Sequence, residues 1–223
     1  MCGRYADARE ADIVDLFHVE VVLDHKEPTR NVSPTQAVWM IGPGASDGAG
    51  GRVPRVLRLA RWGLVPSWSK ALPARPLINA RAETVTEKPS FRVAAAKRRA
   101  ILPAAGYYEW AATPTGKAPY FLHSDDAPVL GFAGLYEWWR VPDGLTLPGV
   151  VDGWLLSTTI ITRPAMDAIG QIHDRMPVVV PPDLVDDWLD PGLTAQGDVE
   201  SLLASIPDPA LAVTARSPTD KGD

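Results

Sequence analysis

The stretch "RRAILPAAGYYEWA", residues 98–111, decides the fold. Two basic residues lead into an apolar run, and an aromatic run follows the Pro103 region. The segment predicts two short strands interrupted at Pro103. Working outward, "APYFLHS" (118–124), "PVLGFAGLYEWW" (128–139) and "DGWLLSTTIIT" (152–162) read as further strands, with "VPDGLTLPG" (141–149) as a loop. Upstream, "NVSPTQAVWMI" (31–41) turns at Ser33-Pro34 into a strand, and "RVLRLARWGLVP" (55–66) alternates as another. Together residues 36–62 predict a hairpin whose tip, about 42–54, is a flexible Gly-rich loop.

Helical signals are short and scattered. "DAREADIVDLF" (7–17) predicts an amphipathic helix with Ile13, Leu16 and Phe17 inward. "LINARAETV" (77–85) is expected to enter a helix, and "RPAMDAIGQIH" (163–173) to form one begun by proline. "MPVVVPP" (176–182) reads as a strand, with helices at "PDLVDDWLD" (182–190) and "DVESLLASI" (198–206). This order is not a βαβ alternation. It predicts a single α+β domain over residues 1–223: a curved, largely antiparallel sheet or partial barrel with short flanking helices. The 22 prolines in 223 residues favour many short elements joined by rigid turns.

Composition narrows the function classes. Net charge is −5, which argues against a bulk polyanion binder but leaves room for a local basic groove. No apolar run reaches membrane-spanning length, and the N-terminus lacks a signal-peptide pattern. One cysteine allows no internal disulfide, and four scattered histidines give no metal-ligand spacing, so neither cofactor nor metal is expected. A reducing cytoplasm is the simplest compartment.

The single cysteine is residue 2. One reading is a small buried hydrophobe. The other needs Met1 removed, which would give Cys2 both a thiol and a free α-amine, with pKa values of about 8.5 and 8. Such a residue can close on an aldehyde as a five-membered thiazolidine, or act as a simple thiol nucleophile. Glu109 in "GYYEW" stands among Tyr107, Tyr108 and Trp110. Either it is desolvated and poised for proton transfer, or strand alternation turns it to solvent. His173 in "IHDRMP" is a general acid–base type, or simply a hydrogen-bonded polar residue. Asn79 could hold a carbonyl or sugar hydroxyl, or cap the following helix. Arg4, Arg61, Arg81, Lys97, Arg98 and Arg99, with Trp62 and Trp68, could serve single-stranded nucleic acid. Each also has a bland reading as core or solvated surface.

Taken together and in order, "MCGRY" (1–5), "NVSPTQ" (31–36), "RWGLVPSW" (61–68), "LINARAET" (77–84), "RRAILPAAGYYEW" (98–110), "GLYEWW" (134–139), "IITRPA" (160–165) and "IHDRMPVVV" (172–180) resemble the SOS-response-associated peptidase family. The resemblance implies a protein that recognises abasic sites in single-stranded DNA, notably near double-strand junctions. It implies covalent capture of the ring-opened aldehyde through the N-terminal cysteine, with self-processing peptidase activity suggested by the family name. On this resemblance Cys2 is the nucleophile, Asn79 positions the opened sugar, Glu109 moves protons, and His173 opens the deoxyribose. Arg4 and Arg81 contact phosphates, Pro34 and Trp68 wedge and stack, and Thr162 lies at the same groove. A monomer acting on DNA near the nucleoid is the expected form. A thiol autopeptidase or amidase, and a non-covalent single-strand-binding module, are the alternatives. The tail from about 212 to 223 diverges from the family pattern.

Overall fold

The computed structural model describes residues 2–44, 53–114 and 116–216. In chain order the strands are β1 (Tyr5–Ala6), β2 (Val21–Val22), β3 (Ala37–Pro43), β4 (Arg55–Trp62), β5 (Asn79–Arg81), β6 (Arg99–Ala104), β7 (Gly106–Thr113), β8 (Gly116–His123), β9 (Leu130–Arg140), β10 (Val150–Val151), β11 (Trp154–Pro164), β12 (Arg175–Pro177) and β13 (Ala212–Ala215). The helices are α1 (Glu10–Leu16), α2 (Arg92–Lys97), α3 (Asp167–Ile172), α4 (Val185–Leu189) and α5 (Gln196–Ser205).

The expected α+β partial barrel is what forms. β11 pairs antiparallel with β9, β9 with β6, β6 with β3 and β3 with β4. β4 then returns to β11 through a short parallel contact at Ser157–Thr158, so five strands close on themselves. Alternation sorts side chains by face. Met40, Ala60, Ala100, Tyr136 and Leu156, one from each strand, pack as one layer within the ring. Val38, Trp62, Leu102, Phe132 and Ile160 form the next layer, again one per strand. The opposite phase, including Trp39, Ile41, Leu57, Ile101 and Leu135, packs outward against Ile13, Phe17, Ala94, Val185 and Trp188 of the helical segments. Burial of such rings dominates the stability: truncating a fully buried Trp costs roughly 3–5 kcal/mol.

A second sheet, in the order β1-β7-β8-β13, is the lid of the second layer. Tyr5, Tyr107 and Leu122 from its inner face join Val38, Trp62 and Phe132. The ring of Tyr5 meets Trp62 edge-on at 5.2 Å, and Tyr107 meets Phe132 at 5.9 Å. Gly106 opens β7 because nothing larger fits: a Cβ there would lie 2.5 Å from both the Leu122 carbonyl and the Phe121 ring.

Local expectations shift in three places. Pro103 lies inside β6, and the break falls at Ala105. Pro103 faces Gly131 in the register and the strand absorbs it. Residues 79–81 form β5, parallel to β11, before a short 3-10 turn at Ala82–Thr84, rather than entering a helix. Pro164 ends β11, and α3 begins only at Asp167. The hairpin over 36–62 forms in register Ala37↔Arg61 to Pro43↔Arg55. The centre of its expected flexible tip, residues 45–52, lies outside the described residues, as does the tail from 217 onward. The first part of that tail is β13, which pairs with β8. Among the described residues, no helix is long and apolar enough to cross a membrane.

Candidate active site at one end of the barrel

Cys2 sits where the lid sheet meets the closed strands. It is fully buried among Val32, Val38, Trp62, Tyr107 and Ile160. The following residues are fixed by backbone pairing: Tyr5 pairs with Tyr107 in β7 and bridges to Val32, and the Arg4 carbonyl accepts from the Tyr108 amide at 2.9 Å. The N-terminal segment is therefore a short edge strand laid beside the strand that carries Glu109.

Asn79 reaches Cys2 from the other side. Its position on β5 is set by the parallel pairing of Asn79–Arg81 with Ile160–Thr162. The Asn79 Nδ2 donates to the Cys2 carbonyl at 2.9 Å. Its Oδ1 is buried and has no hydrogen-bond partner among the described residues. The amide thus does not cap a helix; it holds Cys2 by its carbonyl and presents an acceptor beside it.

Glu109 points inward, with 3% of its surface exposed, while Trp110 turns outward. Burial pushes its carboxyl above the usual carboxylate range, and His173 draws it the other way. The Cys2 thiol is pushed up too, first by burial and then by the charge of Glu109. With Cys2 in peptide linkage to Met1, the thiol form is favoured. α3 packs on β7 and places His173 next in line. The His173 Nδ1 lies 3.0 Å from the Arg175 amide and 2.9 Å from an Asp174 carboxylate oxygen. Cys2, Asn79, Glu109 and His173, far apart in sequence, thus converge.

Sequence reasoning passed over several neighbours. Tyr5 and Tyr107 are wholly buried in the Cys2 layer, and neither hydroxyl has a partner among the described residues. Burial and the nearby Cys2 push the Tyr107 phenol up. Arg175, quoted only as a flank of His173, forms a two-pronged ion pair with Glu83 and donates to the Thr162 carbonyl at 2.5 Å. The "HDR" run was visible in the sequence; its pairing with residue 83 was not.

The rim residues divide. Trp68 is 65% exposed, on a turn tied to β9 by the Trp139 Nε1 bond to the Ser69 carbonyl at 2.7 Å. Arg81 is exposed on β5, and its side chain has no hydrogen bond among the described residues. Arg4 is half-buried and donates to Asn31 at 2.5 Å. Pro34 sits in a turn held by Thr35 N to Trp62 O at 2.7 Å, and Arg61 donates to the Thr35 carbonyl at 2.8 Å. Thr162 is different: it is fully buried and its hydroxyl faces the Ala80 carbonyl at 3.4 Å. Its placement at a DNA-contacting surface is corrected to a support behind β5. Arg99 is also no surface cation, since it is buried and donates to carbonyls of Ala95, Ala96, Trp188 and Asp190. Arg98 pairs with the buried Glu137 at 2.6 Å. Among the described residues, no cluster of His, Cys, Asp and Glu could hold a metal ion.

The chain is similar to named proteins over most of its length. It is 37% identical to the abasic site processing protein YoqW of Bacillus subtilis, over 91% of this chain and 86% of that one. It is 35% identical to the abasic site processing protein HMCES of Gallus gallus, over 61% of this chain and 46% of that one. The crystal structure of a phage-related protein from Bordetella bronchiseptica superposes with a TM-score of 0.71 at 29% identity, over 96% of this chain and 94% of that one. A second Bordetella bronchiseptica protein gives 0.78 at 24% identity, over 97% of this chain and all of the other, and shows the shared fold. The profile described as SOS response associated peptidase matches residues 1–218, and the chain belongs to that family.

Proposed function

We propose that this chain recognises abasic sites in single-stranded DNA and, once Met1 is removed, captures the ring-opened aldehyde through Cys2. The freed α-amine adds to the aldehyde carbon and loses water to give an imine. The thiol sulfur then adds to that carbon while its proton passes to nitrogen, closing a thiazolidine. No oxidant or reductant is consumed. The observation that carries the reading is the convergence of Asn79 and Glu109 on Cys2: one holds the residue's carbonyl, and the other is a buried carboxyl beside its thiol. Names of relatives as abasic site processing proteins support it.

In this proposal the other residues take the following roles. Glu109, with its proton affinity raised by burial, takes the amine proton and returns it to the departing hydroxyl. Asn79 Oδ1 is a free acceptor for the amine or the sugar hydroxyl. His173 opens the cyclic hemiacetal from the α3 side. Arg4 and Arg81 neutralise the flanking phosphates, and Trp68 with Pro34 meets the bases beside the lesion. The chain acts as a monomeric single domain, and release of Met1 by the chain itself accompanies the proposal.

The deciding experiment mixes Met1-processed protein with a single strand bearing one abasic site, and runs a denaturing gel with intact-mass readout. A shifted band lost in Cys2→Ala is expected. Binding that survives Cys2→Ala with no covalent band would instead favour a non-covalent module, and steady peptide turnover would favour a thiol peptidase.

A further inference from the structure

The outer face of the lid sheet, opposite Glu109 and Tyr107, carries features the reactive site does not use. Tyr108 and Phe121 are register partners there, with ring centroids 4.8 Å apart. His123 stacks on Phe121 at 5.4 Å, and the Arg216 guanidinium lies 5.3 Å from the same ring. Beside them opens a cavity of about 510 Å³, within the size range of small-ligand pockets. Arg9, Arg30 and Arg216 line it together with Tyr108 and Phe121.

The acids in the wall hold partners of their own, although Asp7 Oδ1 is buried with no hydrogen-bond partner among the described residues. Asp7 is buried and takes the Lys26 ammonium at 2.6 Å and the Thr29 amide at 3.0 Å. Asp12 accepts both forks of Arg9, at 2.7 and 2.9 Å. Arg30 has no hydrogen bond or ion pair among the described residues. A ring-floored recess with an unpaired cation and further guanidinium groups suits a base over a phosphate better than a peptide.

Continuity with the reactive site sets the occupant. Arg4 is two residues from Cys2, at most about 7 Å along the chain. Its carbonyl is bonded to the Tyr108 amide, and its guanidinium is bonded to Asn31, the neighbour of Arg30. We propose that this cavity binds a nucleotide of the single strand on one side of the lesion, its base on Tyr108 and Phe121 and its phosphate at Arg30. The proposal rests on the abasic-site reading for its substrate but uses separate residues.

The test measures fluorescence anisotropy with oligonucleotides carrying a tetrahydrofuran abasic analogue, which has no aldehyde and cannot be captured. A short oligonucleotide is compared with versions extended only 5′ or only 3′ of the lesion. One extension is expected to tighten binding by roughly 5- to 100-fold, the scale of one stacked base, and the other is not. Arg30→Gln and, separately, Tyr108→Leu should remove that gain and leave covalent capture of the short aldehyde oligonucleotide unchanged. Arg30→Gln is a surface change and keeps the test valid if Tyr108→Leu fails to fold. An equal gain on both sides, or a gain that persists in Arg30→Gln, overturns the proposal. If the parent protein fails to capture the short aldehyde while the one-sided gain persists and falls in Arg30→Gln, the abasic reading fails and the nucleotide cavity stands.

Discussion

The side chain of Asn79 donates to the carbonyl of Cys2 at 2.9 Å, joining positions 77 residues apart. The bond orients Cys2 without touching its thiol or nitrogen. Replacing Asn79 by Ala removes the restraint and the free acceptor beside it. Capture of an abasic aldehyde is then expected to slow by about 10- to 100-fold, the cost of a reacting group displaced by an ångström or so. The melting temperature should fall by no more than a few degrees, because one neutral hydrogen bond contributes only about 0.5–1.5 kcal/mol. Single-turnover gels beside thermal melts check both; an unchanged rate would remove Asn79 from the site.

Glu109 should give opposite signs for stability and activity. Its folded pKa is raised by burial above the ordinary glutamate value of about 4.3. The folded chain therefore holds this proton more tightly than the unfolded chain. Stability is full below the ordinary value and erodes as pH rises through the interval up to the folded value. Glu109→Gln removes that erosion. The variant is expected to melt higher than the parent at pH 8, with the gap closing toward pH 4. Capture should fall by about 100-fold, the usual scale for a lost acid–base group. A variant less stable at pH 8 than at pH 4, relative to parent, would contradict the burial argument.

Glu83 should behave in the reverse sense. Its carboxyl is held below the usual range, chiefly by its bond to Arg175. Its stabilising contribution is present above the ordinary pKa and lost as pH falls through the folded value. Glu83 is 45% exposed at the side chain, so solvent screens the pair. Glu83→Gln is expected to cost about 1 kcal/mol at pH 7 and less at pH 3. Chemical denaturation at both pH values measures it. A constant penalty would mean that the ion pair is not its source.

How much of this was legible in the sequence differs by kind of information. Strand alternation is local, so β6, β7 and the hairpin over 36–62 could be read directly, although the break falls at Ala105 and not at Pro103. Ring closure could not, because it rests on a two-residue parallel contact of Ser157–Thr158 with Arg61–Trp62. Glu109 had two local readings, and only the pairing of β7 with β1 selects the buried one. Thr162 looked like a rim residue beside a motif, yet two strands flank it and bury it. The lone Cys2 stood out by position yet kept two readings, because its partners come from β5, β7 and the α3 end, elements that no spacing rule brings together. The nucleotide cavity depends on Arg30 meeting the Tyr108–Phe121 pair, which sequence separation hides entirely.

Thr35 supplies the last prediction. It is a β-branched residue held at φ +74°, a left-handed conformation that costs an L-residue roughly 1–2 kcal/mol. The turn imposes it: the Thr35 amide bonds Trp62 O at 2.7 Å, its carbonyl accepts from Arg61 at 2.8 Å, and the Ser33 amide donates to Gln36 Oε1 at 2.7 Å. These bonds tie the Pro34 turn to Trp62, whose side chain lies in the Cys2 layer. Asn tolerates the left-handed region and keeps every backbone bond. Thr35→Asn is therefore expected to stabilise the chain by about 0.5–1 kcal/mol, or a few degrees in melting temperature. If Pro34 is the wedge beside the lesion, affinity for an abasic analogue should be unchanged in Thr35→Asn, because the turn geometry is retained. Thr35→Pro cannot adopt positive φ and lacks the amide that Trp62 holds. It should lose both stability and binding. Equal melting temperatures for parent and Thr35→Asn would show that the conformation is not strained.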